Sequence, residues 1–279
     1  MIQDIYPHKL DNVFRPGTEP GPDAVVFHYV QNDFLVKEKD QEISFPLVKE
    51  LPDQDSAKLR YLFTMDGTDC FWYMTDKKQE LPGYEYENLR SLRKRNCEPK
   101  HLFFAAYTAQ QLISWYQDNI FCGRCGTLTE HSKTERALVC PSCHRTIYPR
   151  IIPAVIVGVT DGERIVLTKY AGRNVPYFAL IAGFTEIGET LEETVAREVM
   201  EEVGLKVKNI RYYKSQPWAM ADDILMGFYC DVDGDTTIRL DRNELKEGGW
   251  YTPDEVILQP DDYSLTNEMM KRFKDGIKV

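Results

Sequence analysis

The chain has 279 residues, of which 43% are hydrophobic and 28% charged, and its formal net charge is −10. This composition predicts a folded protein of about two domains with a small module between them, and the acidic balance argues against broad nonspecific nucleic-acid binding. No stretch is long and apolar enough to cross a membrane and the first residues lack a signal-peptide pattern, so a cytoplasmic location is expected.

The first 95 residues alternate short apolar runs with turn signals. Four runs are typical of strands and predict a small β-rich domain: AVVFHYV, DFLVK, RYLFTM and CFWYMT. His8 and His28 stand isolated in this part of the sequence and are interpreted as structural or solvated. A helix is predicted to begin within residues 84–95, and apolar residues at helical spacing predict another over about 101–120.

Two CxxC pairs follow, Cys122 with Cys125 and Cys140 with Cys143. Pairs at this separation are typical of a zinc ribbon, in which four thiolates form a closed tetrahedron that stabilises the fold and leaves no position for chemistry. Two disulfides or a redox pair are the alternatives, and the absence of an export signal disfavours disulfides. Several arginines make the ribbon somewhat basic, so nucleic-acid binding is a second, less favoured role.

The remaining residues predict an alternation of strands and helices. Strands are expected in IIPAVIVGVT, ERIVLTKY, ALIAGF, VKNIRYYKSQPW, DILMGFYCDV and LKEGGWY, and a C-terminal helix over residues 264–276. Between the third and fourth strands lies GFTEIGETLEETVAREVMEEVGL, residues 183–205. Thr190 followed by Glu193 has capping-box spacing, so a helix should begin there and stop at Gly204. Its buried face should contain Leu191, Val195, Val199 and Val203.

Three glutamates of this helix, Glu198, Glu201 and Glu202, share one face, and Glu189 in the preceding loop can join them. Each like-charged pair at this spacing costs roughly 0.2–0.5 kcal/mol on a free helix. Mg²⁺ or Mn²⁺, which prefers carboxylate oxygens, removes that cost. Arg197 adjoins Glu198 in sequence and is therefore expected to point away from it and to pair with Glu189. A solvated acidic face is the alternative.

Residues 183–205 match the Nudix box at every defined position, and the chain resembles the Nudix hydrolases. This resemblance implies an α/β/α sandwich around a mixed sheet, and metal-dependent hydrolysis of a nucleoside diphosphate linked to another group. The order of β-rich domain, four-cysteine ribbon and box resembles the bacterial NADH pyrophosphatases, also described as NAD-capped RNA hydrolases. Domains are accordingly expected at residues 1–119, 120–148 and 149–279.

The same resemblance assigns roles to individual residues. Glu198, Glu201 and Glu202 would hold Mg²⁺ or Mn²⁺, and Glu244, favoured over Glu247, would complete the site from outside the box. Glu201 or Glu244 would act as general base, and Arg197 would orient the box loop. The candidate substrate-contacting residues are Phe184, Glu135, Tyr148, Gln216, Trp218 and Asp223. For Gln216 and Trp218, packing behind the pocket is the alternative.

One segment departs from the resemblance. After Ser215-Gln-Pro-Trp218 the usual Pro-Phe-Pro and a polar pair are replaced by Ala219-Met-Ala-Asp-Asp223, which removes two prolines and adds two negative charges. The leading hypothesis is hydrolysis of NADH or NAD⁺ to nicotinamide mononucleotide and AMP by a homodimer. Removal of an NAD cap from RNA, and a nucleotide-sensing binding protein of the ADP-ribose type, are the alternatives.

Overall fold

The computed structural model describes residues 1–52, 55–172 and 177–277. The chain divides into two compact units, Ile2–Arg150 and Ile151–Val279, and Met1 belongs to the second. Within the described residues, none of the helices combines the length and apolarity that a membrane crossing requires.

The first unit begins with two four-stranded sheets, in the orders β1-β6-β7-β2 and β3-β4-β5 with β8 beside β4. The strands are β1 (Leu10–Asp11), β2 (Val25–Phe27), β3 (Tyr29–Val30), β4 (Asp33–Lys39), β5 (Glu42–Ser44), β6 (Leu59–Met65), β7 (Thr68–Tyr73) and β8 (Glu85–Glu87). Short 3₁₀ turns occupy Val48–Glu50 and Ser56–Lys58. Completely buried phenylalanines fill the core, and the predicted β-rich domain is confirmed.

Two helices complete this part, α1 (Leu89–Lys94) and α2 (Lys100–Asp118). The second agrees with the helix predicted over 101–120. The helix predicted within 84–95 begins only at Leu89, because β8 pairs with β4 first and the side chain of Asn88 then caps α1 by accepting from the Arg90 N–H.

Three short strands form the ribbon sheet, in the order β11-β10-β9. They are β9 (Glu130–His131), β10 (Leu138–Val139) and β11 (Thr146–Ile147). The ribbon lies in the same compact unit as the β-rich part.

The second unit is built on a six-stranded sheet, in the order β15-β16-β12-β13-β17 with β14 beside β12. Its elements are β12 (Ile152–Asp161), β13 (Arg164–Tyr170), β14 (Ile181–Phe184), α3 (Leu191–Val203), β15 (Val207–Trp218), β16 (Asp223–Val232), β17 (Leu245–Tyr251), a 3₁₀ turn (Pro253–Glu255) and α4 (Leu265–Lys274). Strands β12 and β16 are parallel and the other pairs antiparallel, so the sheet is mixed.

Alternate residues of β12 serve two separate cores. Val155 and Val157 pack in a cluster with the apolar face of α3, whereas Ala154 and Ile156 pack in a cluster with α4. Because successive side chains of a strand point to opposite faces, the two helices cover opposite faces of the sheet. The predicted α/β/α sandwich is confirmed, and the connection from β14 to α3 places the acidic residues at one end of the sheet.

Candidate active site

Helix α3 begins and ends where the sequence predicts. The Thr190 hydroxyl accepts a hydrogen bond from the Glu193 N–H at 3.2 Å, and the Glu193 carboxylate accepts one from the Thr190 N–H at 2.8 Å. Gly204 ends the helix with φ +69°, the left-handed conformation that favours glycine. Val195, Val199 and Val203 are completely buried, so the acidic side chains are held at a fixed rotation about the helix axis.

The helix contacts strand β14 directly at Gly183. A Cβ atom at this position would lie 2.0–2.3 Å from the carboxylate atoms of Glu198, well inside van der Waals contact. Only glycine therefore leaves room for the Glu198 carboxylate against the strand. That side chain is 12% exposed, and its burial raises the pKa of the carboxyl, which the neighbouring Arg197 opposes.

Arg197 connects the loop, the strand end and the acidic helix face. Its Nε and Nη2 atoms bind the two oxygens of Glu189 at 2.6 and 2.9 Å, and Nη2 also donates to the Phe184 carbonyl at 2.9 Å. Its Nη1 atom donates to Glu198 at 2.7 Å and to Glu201 at 3.1 Å. The expectation that Arg197 points away from Glu198 is wrong, because its long stem brings the guanidinium back between the carboxylates. The hydrogen bonds from Arg197 to Glu189 lower the pKa of the Glu189 carboxyl to about 2.

Glu202 differs from the other glutamates because it is only 1% exposed. It accepts a hydrogen bond from the Ala182 N–H, while its Oε2 atom is buried with no partner in the described part of the chain. Burial, followed by the charges of Glu198, Glu244 and Asp241, raises the pKa of Glu202 to about 8. Without a cation, this carboxyl therefore holds a proton at neutral pH.

Glu244 and Glu247, the two candidates to complete the metal site from outside the box, have different surroundings. Glu247 is ion-paired with Lys169 at 2.9 Å. The charge of Glu244, in contrast, acts on both Glu198 and Glu202. The turn that contains Glu244 is tied to the end of α3 by a 2.9 Å hydrogen bond from the Asp241 N–H to the Glu202 carbonyl.

Sequence reasoning missed Asp241, whose charge also acts on Glu202. The available signal was its spacing, three residues before Glu244 in a turn.

By their donor chemistry, these carboxylates suit a hard divalent cation. The Glu198 side chain and the unpaired oxygen of Glu202 are buried in the protein, and burial disfavours the ionised forms of both carboxyls. Glu201, in contrast, is 61% exposed. Carboxylate oxygens are the donors that Mg²⁺ and Mn²⁺ prefer, and a cation at this place would offset the like-charge repulsion that raises both pKa values.

Two of the four candidate substrate-contacting residues of this unit, Phe184 and Asp223, retain an accessible ring face or an unpartnered oxygen. Phe184 is 52% exposed at the end of β14, so one ring face is accessible, and Asp223 is 7% exposed. Burial and the charge of Asp222 raise the pKa of Asp223 to about 6, and its Oδ1 atom has no partner among the described residues.

Gln216 and Trp218, the other two candidates, both pack behind the surface. Gln216 is completely buried, donates to the Tyr263 carbonyl at 2.7 Å and accepts from the Leu265 N–H at 2.6 Å. Its amide therefore supports the start of α4. Trp218 is partly buried against the same core cluster as α4.

The four ribbon sulfurs form one cluster. All lie within 4.8 Å of one another, with Sγ–Sγ distances of 3.6 Å for Cys122–Cys143 and 3.4 Å for Cys125–Cys140. These distances are too long for disulfides and are close to the roughly 3.8 Å edge of a tetrahedron with zinc–sulfur bonds of about 2.3 Å. The cluster fits structural zinc.

Glu135 and Tyr148 meet at the edge of the ribbon. The Tyr148 hydroxyl donates to the Glu135 carboxylate at 3.2 Å, and this contact raises the pKa of the phenol. Both side chains are exposed and belong to the first compact unit.

We predict that Glu202→Gln stabilises the metal-free protein at alkaline pH. The pKa of Glu202 rises from 4.5 to about 8 on folding, so its contribution to stability is complete below 4.5 and is lost as the pH rises toward 8. At about pH 8 without divalent cations, Glu202→Gln should exceed the wild type by on the order of 4 kcal/mol in free energy of unfolding, measured by denaturant titration.

The exposed neighbour provides the matched control, since Glu201→Gln keeps the Glu202 carboxyl and should leave its destabilising effect at alkaline pH in place. An identical pH dependence in the wild type and Glu202→Gln would show that Glu202 does not hold a buried proton.

Three family models match the chain in succession. They are an NADH pyrophosphatase-like rudimentary NUDIX domain at residues 23–115, an NADH pyrophosphatase zinc ribbon domain at 118–148 and a NUDIX domain at 150–273. Among solved structures, a NUDIX hydrolase from Nitrosomonas europaea covers 56% of this chain and 91% of its own, with 21% identity and a TM-score of 0.49.

Curated relatives extend over most of the chain. An NAD-capped RNA hydrolase NudC from Erwinia tasmaniensis is 37% identical over 211 residues, which is 76% of this chain and 80% of the relative. A protein of the same name from Photorhabdus laumondii is 38% identical over 184 residues, 66% of this chain and 71% of the relative. Together with the box and the ribbon, this similarity shows that the chain belongs to the Nudix hydrolase family, in the branch that carries the NADH pyrophosphatase zinc ribbon.

Proposed function

We propose that this chain hydrolyses the pyrophosphate bond of NADH or NAD⁺ to a nicotinamide mononucleotide and AMP. The observation that carries the proposal is the buried, unpaired Glu202 oxygen beside Glu198, which fits a divalent cation at the end of the sheet. The family models are named for NADH pyrophosphatase, and the relatives are named NAD-capped RNA hydrolases.

Four glutamates would hold Mg²⁺ or Mn²⁺ in this proposal. Glu198 and Glu202 supply the inner oxygens, and the more exposed Glu201 and Glu244 supply outer ones. When bound, the cation contributes Lewis-acid stabilisation of the charge on the phosphate oxygens. Zinc in the ribbon would be held by Cys122, Cys125, Cys140 and Cys143 and would have only a structural role.

The chain's own residues then direct the attack of water. An exposed glutamate, Glu201 or Glu244, accepts a proton from water while the water oxygen bonds to one phosphorus. The bridging P–O bond on the opposite side breaks, and its electron pair remains on the departing phosphate. Arg197 does not need to contact the substrate. It holds the box loop through Glu189 and holds Glu198 in place.

Two residues near the box are proposed to recognise the nucleotide. The exposed ring of Phe184 offers a face for stacking a nicotinamide or adenine ring. The unpaired Oδ1 atom of Asp223 can accept a hydrogen bond from a hydroxyl or amino group of the nucleoside part. Because Asp223 is buried and its pKa is raised, it presents less negative charge to a pyrophosphate than the sequence suggests.

Removal of an NAD cap from RNA is the second candidate function. The name of the relatives favours it. Helix α1 contributes exposed Arg90 and Lys94, which can bind phosphates, although Arg95 is already paired with Glu38 and Glu87. Glu135 and Tyr148 of the ribbon are candidates for further contacts to either substrate.

A homodimer is also proposed. The ribbon exposes several large apolar side chains, including Phe121 at 63%, Leu128 at 58% and Tyr148 at 58%, and burial of such side chains favours association. Light scattering of the full chain tests this proposal, and a monomeric mass at micromolar concentration would reject it.

We predict that Gly183→Ala lowers kcat by about 100-fold, because the new methyl group must displace the Glu198 carboxylate and misplacement of about 1 Å has costs of that size. Steady-state hydrolysis of NADH with Mg²⁺ measures the loss. Gly21→Ala, in the loop before β2, is the control: its φ is not positive, its added Cβ meets no atom within 4 Å, and kcat should stay nearly unchanged. Equal activity of Gly183→Ala and wild type would contradict the assignment of Glu198.

A substrate panel tests the function itself. NADH, NAD⁺, FAD, ADP-ribose, diadenosine polyphosphates and NAD-capped RNA are compared with Mg²⁺ and Mn²⁺. Turnover of NADH or NAD⁺ is expected, with a loss of about 100-fold or more in Glu198→Gln and Glu202→Gln. Binding of ADP-ribose without turnover of any compound would reject the hydrolase proposal in favour of a nucleotide sensor.

The panel also distinguishes the two candidate substrates. Turnover of free NADH without binding of NAD-capped RNA in a gel shift would reject RNA decapping. A strong preference for capped RNA that Arg90→Gln weakens would favour it.

A further inference from the structure

The first unit contains a second group of metal-ligating side chains, apart from the ribbon cysteines. His8, Asp66 and His101 each offer one ligand atom, and these atoms all lie within 4.8 Å of one another. Nδ1 of His8 is 2.7 Å from Oδ2 of Asp66, and the two imidazole rings stack with centroids 3.6 Å apart. His8 stands isolated in the sequence but has partners in the fold, because residues 58 and 93 positions further along the chain pack against it.

Backbone hydrogen bonds fix the carboxylate at the centre of this group. Asp66 lies in the turn between β6 and β7 with φ +52°. Its Oδ1 atom accepts from the Lys9 N–H at 2.8 Å, and its own N–H donates to the Lys9 carbonyl at 2.9 Å. The second oxygen, Oδ2, is consequently directed toward the histidines. A ligand held in this way by its neighbours is preorganised for binding.

We infer that His8, Asp66 and His101 form a binding site for a divalent ion of the zinc type, separate from the ribbon. Two imidazoles and one carboxylate are a donor set that suits Zn²⁺ and disfavours Mg²⁺. Three protein ligands leave a fourth position for water.

Side-chain rearrangement alone can bring these three residues to metal geometry. With bonds of about 2.1 Å, ligand atoms of a tetrahedral site are about 3.4 Å apart, so the widest pair has to close by at most about 1.4 Å. The stacked rings, which now lie 17° from parallel, have to turn toward a common point. Both histidines and Asp66 are partly or fully exposed, so their side chains have room to do so.

Occupancy of this site would join three segments that are distant in the chain. His8 precedes β1, Asp66 lies in the β6–β7 turn, and His101 lies in the first turn of α2. An ion bound by all three stabilises the folded first unit, because the unfolded chain cannot present these ligands together. The site is therefore proposed as a structural or zinc-responsive element.

The test is the uptake of zinc by the full chain with the ribbon zinc in place. Saturating Mg²⁺ is present to occupy the box glutamates, the protein is dialysed against micromolar free Zn²⁺, and bound metal is counted by mass spectrometry. We expect the wild type to bind one zinc beyond the ribbon zinc, with a rise in melting temperature. The double variant His8→Gln/His101→Gln should bind the ribbon zinc only.

Asp69→Asn is the matched control. Asp69 lines the same cavity as Asp66 but is not in the ligand group, so this variant removes one nearby charge and should keep the additional zinc. Cadmium NMR gives an independent readout, since a site of nitrogen and oxygen ligands resonates far from a four-thiolate site. This signal should disappear in the double variant.

Three results would overturn the inference: no zinc beyond the ribbon zinc in the wild type, equal uptake in the double variant, or loss of the additional zinc in Asp69→Asn. If the double variant does not fold, as judged by circular dichroism and ribbon zinc content, Asp66→Asn replaces it. Hydrolase activity is not a readout here, so failure of the proposed function leaves the result unaffected.

Discussion

The contact between the Glu198 carboxylate and the backbone of Gly183 fixes the geometry of the acidic site. It requires a residue without a Cβ atom on β14, and it requires α3 to begin at a defined distance from that strand. The capping box at Thr190 and the buried valines of α3 meet the second requirement. The remaining acidic residues take their positions from this strand–helix pair.

Concentrating so many carboxylates at one place is electrostatically costly, and the protein offsets the cost in two ways. Arg197 lies between Glu189, Glu198 and Glu201, where one guanidinium serves three carboxylates. Glu202 lies beyond its reach and instead has a raised pKa. In the proposed metal site, a cation would take the place of a proton on Glu202.

Local patterns predicted much of this structure. The start of α3 at Thr190, its end at Gly204 and the strands around it follow from capping spacing, glycine conformation and apolar periodicity, which involve residues close in the chain. The four-cysteine cluster could also be predicted, because its ligands come in two short repeats.

The course of a long side chain and the contacts between distant residues could not be predicted in the same way. Neighbours in sequence were expected to diverge, yet the long side chain of Arg197 bends back to Glu198. The burial of Gln216 depends on the start of α4, 47–49 residues later. Asp66 lies 58 residues from His8, and no periodic pattern relates the two.

The contact between Glu198 and Gly183 also determines which parts of this unit can change without disturbing the acidic residues. Any side chain at position 183 would displace the Glu198 carboxylate from its place against the strand. The segment 219–222 lies in the connection between β15 and β16 and belongs to neither β14 nor α3. Substitutions in that segment leave the contact between Gly183 and Glu198 in place.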